Sequence, residues 1–261
     1  MQARMFVVAL VVRDRPRTFL ATDCSSMLVS LLATRRSMAP SRTAIQGSTT
    51  KLGTKSKFGT KAYWDAMYSG VGELPAETFS WYCSWAELQP FFEEVCPERP
   101  ADLLVPGMGN DGLVRDLCDA GFEQITGFDY SADAVTRAEA LLDGKHSGVT
   151  LLCADACELP LHDGAFDAVI DKGTLDAVDI AGGGRLQRAA TELARVVRTG
   201  GVVVSVTRVC EPDVLEAAFP ASAWERLRDG TLHIAPGGEA STDLAASLWA
   251  WRRKATMTPS S

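Results

Sequence analysis

Leu103-Leu104-Val105-Pro106-Gly107-Met108-Gly109-Asn110-Asp111-Gly112 runs from an apolar segment through closely spaced glycines toward Leu113, Val114 and Leu117. Residues 101–105 read as a buried strand and residues 113–120 as a helix stopped by Gly121. Gly107 and Gly109 let the backbone between them turn sharply and approach a ligand with no Cβ in the way. The helix that follows starts with N–H groups lacking an intrahelical partner. The spacing Gly107-x-Gly109-x-x-Gly112 also satisfies a dinucleotide fingerprint, and a glycine-rich turn without a ligand is its plain alternative.

The same alternation continues outward. Residues 124–128, 149–154, 166–170 and 202–206 are short apolar strand candidates. Helical patterns separate them at 132–142 and at 186–197, the latter stopped by Gly200-Gly201. Continuous apolar strands alternating with helices predict a parallel sheet covered on both faces. Residues 212–219 read as a short helix. Residues 231–235 and 244–252 then read as two strands joined around Pro236-Gly237-Gly238, a connection short enough to require antiparallel pairing. Upstream, 62–68 puts Tyr63, Met67 and Trp64 on a helix, and 85–95 spaces Leu88, Phe91, Phe92 and Val95 as an amphipathic helix ended by Pro97.

Chemistry gathers where these strands end. Asp129 follows Gly107 by 22 residues, close to the interval at which a carboxylate meets ribose hydroxyls. Asp155 lies at the end of the next strand, suited to an adenine amino group. Residues 166–178 run from strand into a dense polar cluster, Asp171-Lys172-Gly173-Thr174-Leu175-Asp176-Ala177. In an open α/β sheet these positions face one crevice. Each acid has a bland alternative as a helix cap.

Composition narrows the rest. The 261 residues carry a net charge of −7, which argues against a general nucleic-acid binder, and no apolar run approaches a bilayer span. Seven scattered cysteines without a C-x-x-C pair favour neither disulfides nor zinc, and fit a reducing compartment. The three histidines, 146, 162 and 233, lie too far apart in sequence to suggest a metal centre. Residues 1–61 hold 11 of the basic side chains and only Asp14 and Asp23 as acids, a local +9, against −16 in the remainder. Such a Ser/Thr-rich basic leader is expected to be either a transit peptide or a disordered tail, with an upstream extension before Met27 or Met38 and a secretory signal as further readings. Residues 1–57 are therefore set aside as leader, 58–254 as the folded domain and 255–261 as a tail. A transit peptide implies a mitochondrial or plastid protein, its absence a cytoplasmic one.

Leu-Val-Pro-Gly-Met-Gly-Asn, Gly-Phe-Asp-Tyr-Ser at 127–131, Ala-Asp-Ala at 154–156 and Asp-Lys-Gly-Thr-Leu-Asp-Ala together resemble the seven-strand S-adenosylmethionine-dependent methyltransferases. The likeness is to the methyltransferase-like branch that includes the lysine methyltransferases of elongation factor 1-alpha and citrate synthase. Residues 58–65 and 79–82 are similar to that branch's N-terminal segments. The resemblance implies a Rossmann-like doubly wound sheet of seven mostly parallel strands, with a C-terminal antiparallel pair and an N-terminal helical lid. It implies S-adenosyl-L-methionine as cofactor, held by Gly107, Gly109, Asn110, Asp129, Tyr130, Asp155, Ala156 and Asp171, with Trp81 and Tyr82 from the lid. Asp171 is expected nearest the acceptor amine, as the catalytic carboxylate. Val105 stands where many such enzymes place an acid for the cofactor's methionine end, and Asp111 where Ser or Gly is usual.

The expected activity is protein-lysine N-methylation, with a protein partner and neither nucleic acid nor membrane. The rivals are a small-molecule methyltransferase or aminopropyltransferase, and a non-catalytic cofactor-binding subunit. Nicotinamide chemistry fits less well, because the polar cluster lacks a recognisable hydride-transfer acid.

Overall fold

The computed structural model describes residues 8–10, 56–72, 78–144, 146–233 and 245–255. Within the leader, Val8–Leu10 (β1) pairs antiparallel with Phe79–Trp81 (β2), so three residues of that segment are strand rather than tail. The rest of 1–55 lies outside the described residues. A 3-10 turn at Ser56–Gly59 leads into α1 (Lys61–Tyr68), whose N-cap Thr60 accepts a hydrogen bond from the Tyr63 N–H. After β2, Ser84 and Glu87 form a capping box that starts α2 (Trp85–Val95).

The sheet follows. In chain order it comprises β3 (Asp102–Pro106), α3 (Leu113–Asp119), β4 (Gln124–Asp129), α4 (Ala132–Leu142), β5 (Val149–Cys153) and β6 (Phe166–Lys172). Then come α5 (Thr174–Ala181), α6 (Arg185–Val196), β7 (Val197–Thr207), α7 (Pro212–Ala218), β8 (Trp224–His233) and β9 (Ala245–Arg253). The spatial order is β5-β4-β3-β6-β7-β9-β8. The first five are parallel, and β9 lies antiparallel between β7 and β8. This is the expected seven-strand Rossmann-like sheet. The strand order reverses its direction between β3 and β6, and the crevice forms beyond their carboxyl ends.

Strand alternation divides the core into two layers. Leu103, Val105, Ile170, Val202, Val204 and Val206 face α2 and α3, where Leu88, Phe92 and Leu117 are buried. Leu104, Val169 and Val203 face α5, α6 and α7. Phe219 stacks on Trp251 at 4.1 Å between ring centres and closes that layer beneath the antiparallel pair. Each fully buried Val or Leu contributes about 1.5–3 kcal/mol, so the sheet is a rigid platform for its rim. The lid packs on this platform, with the 3-10 turn against α5 and α1 against α4. Among the described residues no helix is long and apolar enough to cross a membrane.

Three local readings differ. Gly200-Gly201 does not stop α6, which ends at Val196. The two glycines lie inside β7, where the register jumps from Phe166 opposite Val197 to Ala168 opposite Val202. A side chain at Gly201 would meet the Asp167 carbonyl oxygen at 2.8 Å, so the glycine accommodates a bulge. The segment after β6, read as a dense polar cluster with helix capping as its alternative, forms α5. Strand β8 begins at Trp224, seven residues earlier than the apolar run at 231 suggested, because charged side chains suit an edge strand. The connection through Pro236 lies outside the described residues.

Candidate active site

The turn after β3 is built for close approach. Gly107 and Gly109 adopt φ of +52° and +56°. A Cβ on Gly107 would sit 2.1 Å from Thr174 Oγ1, and one on Gly109 2.6 Å from the Tyr68 hydroxyl. Neither position accepts a side chain. Beside this turn Asp129 ends β4, buried, with Oδ2 accepting the Gly109 N–H at 3.1 Å and Oδ1 the Ser131 N–H at 2.9 Å. Burial pushes its carboxyl up to about 6, against the lowering effect of those two N–H groups.

A cavity of about 1170 Å³, mouth included, opens over this rim. Its floor holds Gly107, Asp129, Tyr130, Asp155 and Ala156, and its roof comes from the lid: Phe58, Tyr63, Trp64, Trp81 and Tyr82. Trp81 and Tyr82 sit on β2 and the bend after it rather than on a helix. Trp64 meets Trp81 at 5.8 Å and Phe58 at 6.3 Å, so the roof is one connected aromatic cluster. A smaller chamber beside it is lined by Gly109, Val105, Asp111 and Lys172. Seven expected site residues thus meet at the main cavity and Gly109 at its neighbour.

Two expected site residues line neither chamber. Asn110 is buried beneath the turn. Asp171 is fully buried, its Oδ1 accepting the N–H groups of Thr174 and Leu175 and its Oδ2 the Ser205 hydroxyl. It faces the same side of the sheet as Ser205, its cross-strand neighbour, under the start of α5. Expected nearest the acceptor, Asp171 is here a tie between β6, α5 and β7. Asp155 does reach the cavity, but both its oxygens hold the Arg185 guanidinium, at 2.6 and 2.7 Å, and Oδ1 also accepts the Cys157 N–H.

Lys172, which sequence reasoning did not place, occupies the opposite strand face. Its ammonium donates to Ser80 Oγ and the Cys83 carbonyl, each at 2.8 Å, and pairs with Asp111 at 2.5 Å. Asp176 accepts from the Tyr82 hydroxyl and from the N–H groups of Arg208, Val209 and Cys210. The Asp-Lys-Gly-Thr-Leu-Asp-Ala motif thus fastens lid, glycine turn and the loop after β7 around one space. Lys172→Met takes the buried ion-pair partner from the largely enclosed Asp111 and the donor from Ser80 and the Cys83 carbonyl, and is expected to cost about 3 kcal/mol, a melting temperature about 10 °C lower in calorimetry. Among the described residues no group of three or more His, Cys, Asp or Glu side chains could hold a metal ion.

Fold and rim together are similar to those of the seven-strand class of S-adenosylmethionine-dependent methyltransferases. Residues 104–205 match the family described as a methyltransferase domain. The chain is 30% identical over 155 residues to the zebrafish (Danio rerio) eEF1A lysine and N-terminal methyltransferase, covering 59% of this chain and 22% of that protein. It is 30% identical over 159 residues to mouse (Mus musculus) EEF1A lysine methyltransferase 4, covering 56% of this chain and 59% of the relative. The N-methyltransferase NodS of Bradyrhizobium japonicum, solved with S-adenosyl-L-homocysteine, shares the fold with a TM-score of 0.53 at 14% identity, over 64% of this chain and 85% of that one. The matched region is thus about a fifth of one relative's length and three fifths of the other's.

Proposed function

We propose that the protein is an S-adenosylmethionine-dependent methyltransferase that acts on the lysine side chain of a protein. The observation that carries the reading is the pairing of a side-chain-intolerant turn at Gly107 and Gly109 with the buried Asp129 under an aromatic roof. These residues fit the cofactor. Asp129 keeps lone pairs for ribose hydroxyls, the bare turn admits the nucleoside edge, and the 154–156 segment meets the base. Tyr82, Trp81 and Trp64 present ring faces that suit a sulfonium cation. When bound, the cofactor supplies an electrophilic methyl group.

The chain's own contribution is orientation and desolvation. Gly173, Asp176 and Val209 also line the cavity, and these are the groups proposed to meet an entering lysine amine. Asp176 already accepts four hydrogen bonds and Asp171 lies outside the cavity, so neither carboxylate serves as a dedicated base. The apolar enclosure disfavours the ammonium form, so the amine enters neutral and leaves its proton in water.

The test is incubation with methyl-labelled cofactor and fractionated cell extract. Label on a protein band, mapped to a lysine, supports the reading; label in a small product overturns the choice of acceptor, and no uptake of cofactor overturns the reading entirely. A pH signature accompanies it. Ribose hydroxyls need an ionised acceptor, and the Asp129 carboxyl titrates at about 6. Cofactor affinity is expected to hold above that pH and to fall about tenfold per unit below it, measured by calorimetry.

A further inference from the structure

The smaller chamber shares Tyr68, Trp81, Gly107 and Lys172 with the main cavity, so a ligand lying over the glycine turn can extend into it. Among its described lining residues, Asp111 is the one acid and Lys172 the one base. All three protons of Lys172 are committed, to Ser80, Cys83 and Asp111. Asp111 is not saturated: Oδ1 accepts the Leu113 N–H at 2.9 Å and Oδ2 accepts from Lys172. An ionised carboxylate offers about four acceptor sites, so about two remain. Val105, also in the lining, adds no charge.

Beyond its nucleoside, the methyl donor carries an amino-acid end with an α-ammonium and an α-carboxylate. We propose that Asp111 is the group that receives the α-ammonium of S-adenosylmethionine, an inference that rests on the methyltransferase reading of the cavity. A cation entering the chamber finds no other carboxylate in its wall. With its side chain only 13% exposed, Asp111 makes a hydrogen bond between opposite charges in a place poorly screened by water. Lys172 holds the Asp111 carboxylate in place and has no proton to spare for the α-carboxylate of the ligand.

The test compares two ligands on the full chain by calorimetry. One is S-adenosylhomocysteine and the other its deaminated analogue, 5′-S-(3-carboxypropyl)-5′-thioadenosine, which keeps the nucleoside, sulfur and carboxylate. The unaltered chain is expected to bind the deaminated analogue about ten- to a hundredfold more weakly. Asp111→Asn and Asp111→Ser are expected to weaken S-adenosylhomocysteine by a similar factor while changing the analogue less than about twofold. Equal affinity of the unaltered chain for both ligands overturns the assignment even if neither variant folds. Equal weakening of both ligands by the variants also overturns it, since Asp111 would then act only through Lys172 and the fold. If the unaltered chain takes up neither ligand, the methyltransferase reading itself fails, a result distinct from both.

Discussion

Replacing Asp129 with alanine is expected to weaken S-adenosylmethionine binding a hundredfold or more, about 3 kcal/mol from the loss of hydrogen bonds between ribose hydroxyls and a charged acceptor. The effect has two sources. The ribose loses its partner, and the Gly109 and Ser131 N–H groups lose theirs, which slackens the turn that the nucleoside rests on. Asp129→Asn separates them: one amide oxygen can still accept from the turn, but the charge is gone, so the variant should fall between alanine and the natural residue. Calorimetric titration reads the affinity and thermal melting reads the turn. An alanine variant that binds cofactor normally would place the nucleoside elsewhere and remove the basis for the proposed chemistry.

Replacing Asp171 with alanine is expected to act on stability rather than on the chemical step. Three buried donors, the Thr174 and Leu175 N–H groups and the Ser205 hydroxyl, lose their acceptor together. At about 1–3 kcal/mol for each unsatisfied group, a total near 4 kcal/mol lowers the melting temperature by about 12 °C. Burial also raises the Asp171 carboxyl to about 7, well above its ordinary value near 3.8. The native state therefore holds a proton that the unfolded chain releases, and this group's contribution to stability falls as pH rises from about 4 to 7. Asp171→Asn, which cannot ionise, should flatten that slope in pH-dependent melting. A large loss of turnover in either variant with unchanged melting would instead return Asp171 to the acceptor.

Asp171 and Lys172 also show where reading the sequence stops. The motif was legible as a polar cluster at the crevice, and so was the turn at Gly107, because strand and helix periodicity leave no other place for them. Which of two adjacent residues enters the crevice was not legible. Neighbours on a strand point to opposite faces, and only the pairing of Asp171 with Ser205 decides which face is which. The parallel core was readable from its continuous valines. Strand β8 was misplaced because Glu225, Arg226, Arg228 and Asp229 mark an edge without an apolar run. Strand β2 has three residues, too few for any periodicity. Asp155 was found by position, but its Arg185 partner follows 30 residues later, after the Gly182-Gly183-Gly184 turn, and only tertiary structure joins them.

The roof has a consequence for how the molecule is made. Its aromatic residues precede β3 in the chain, yet they rest on α4, α5 and the ends of β4 and β6, as many as 120 positions later. Such distant partners meet only after long loops have closed, which slows their arrival relative to neighbouring helices and strands. Ligand-binding competence should therefore trail the recovery of sheet structure during refolding, the chain passing through a stage with its platform complete and its chamber still open to solvent.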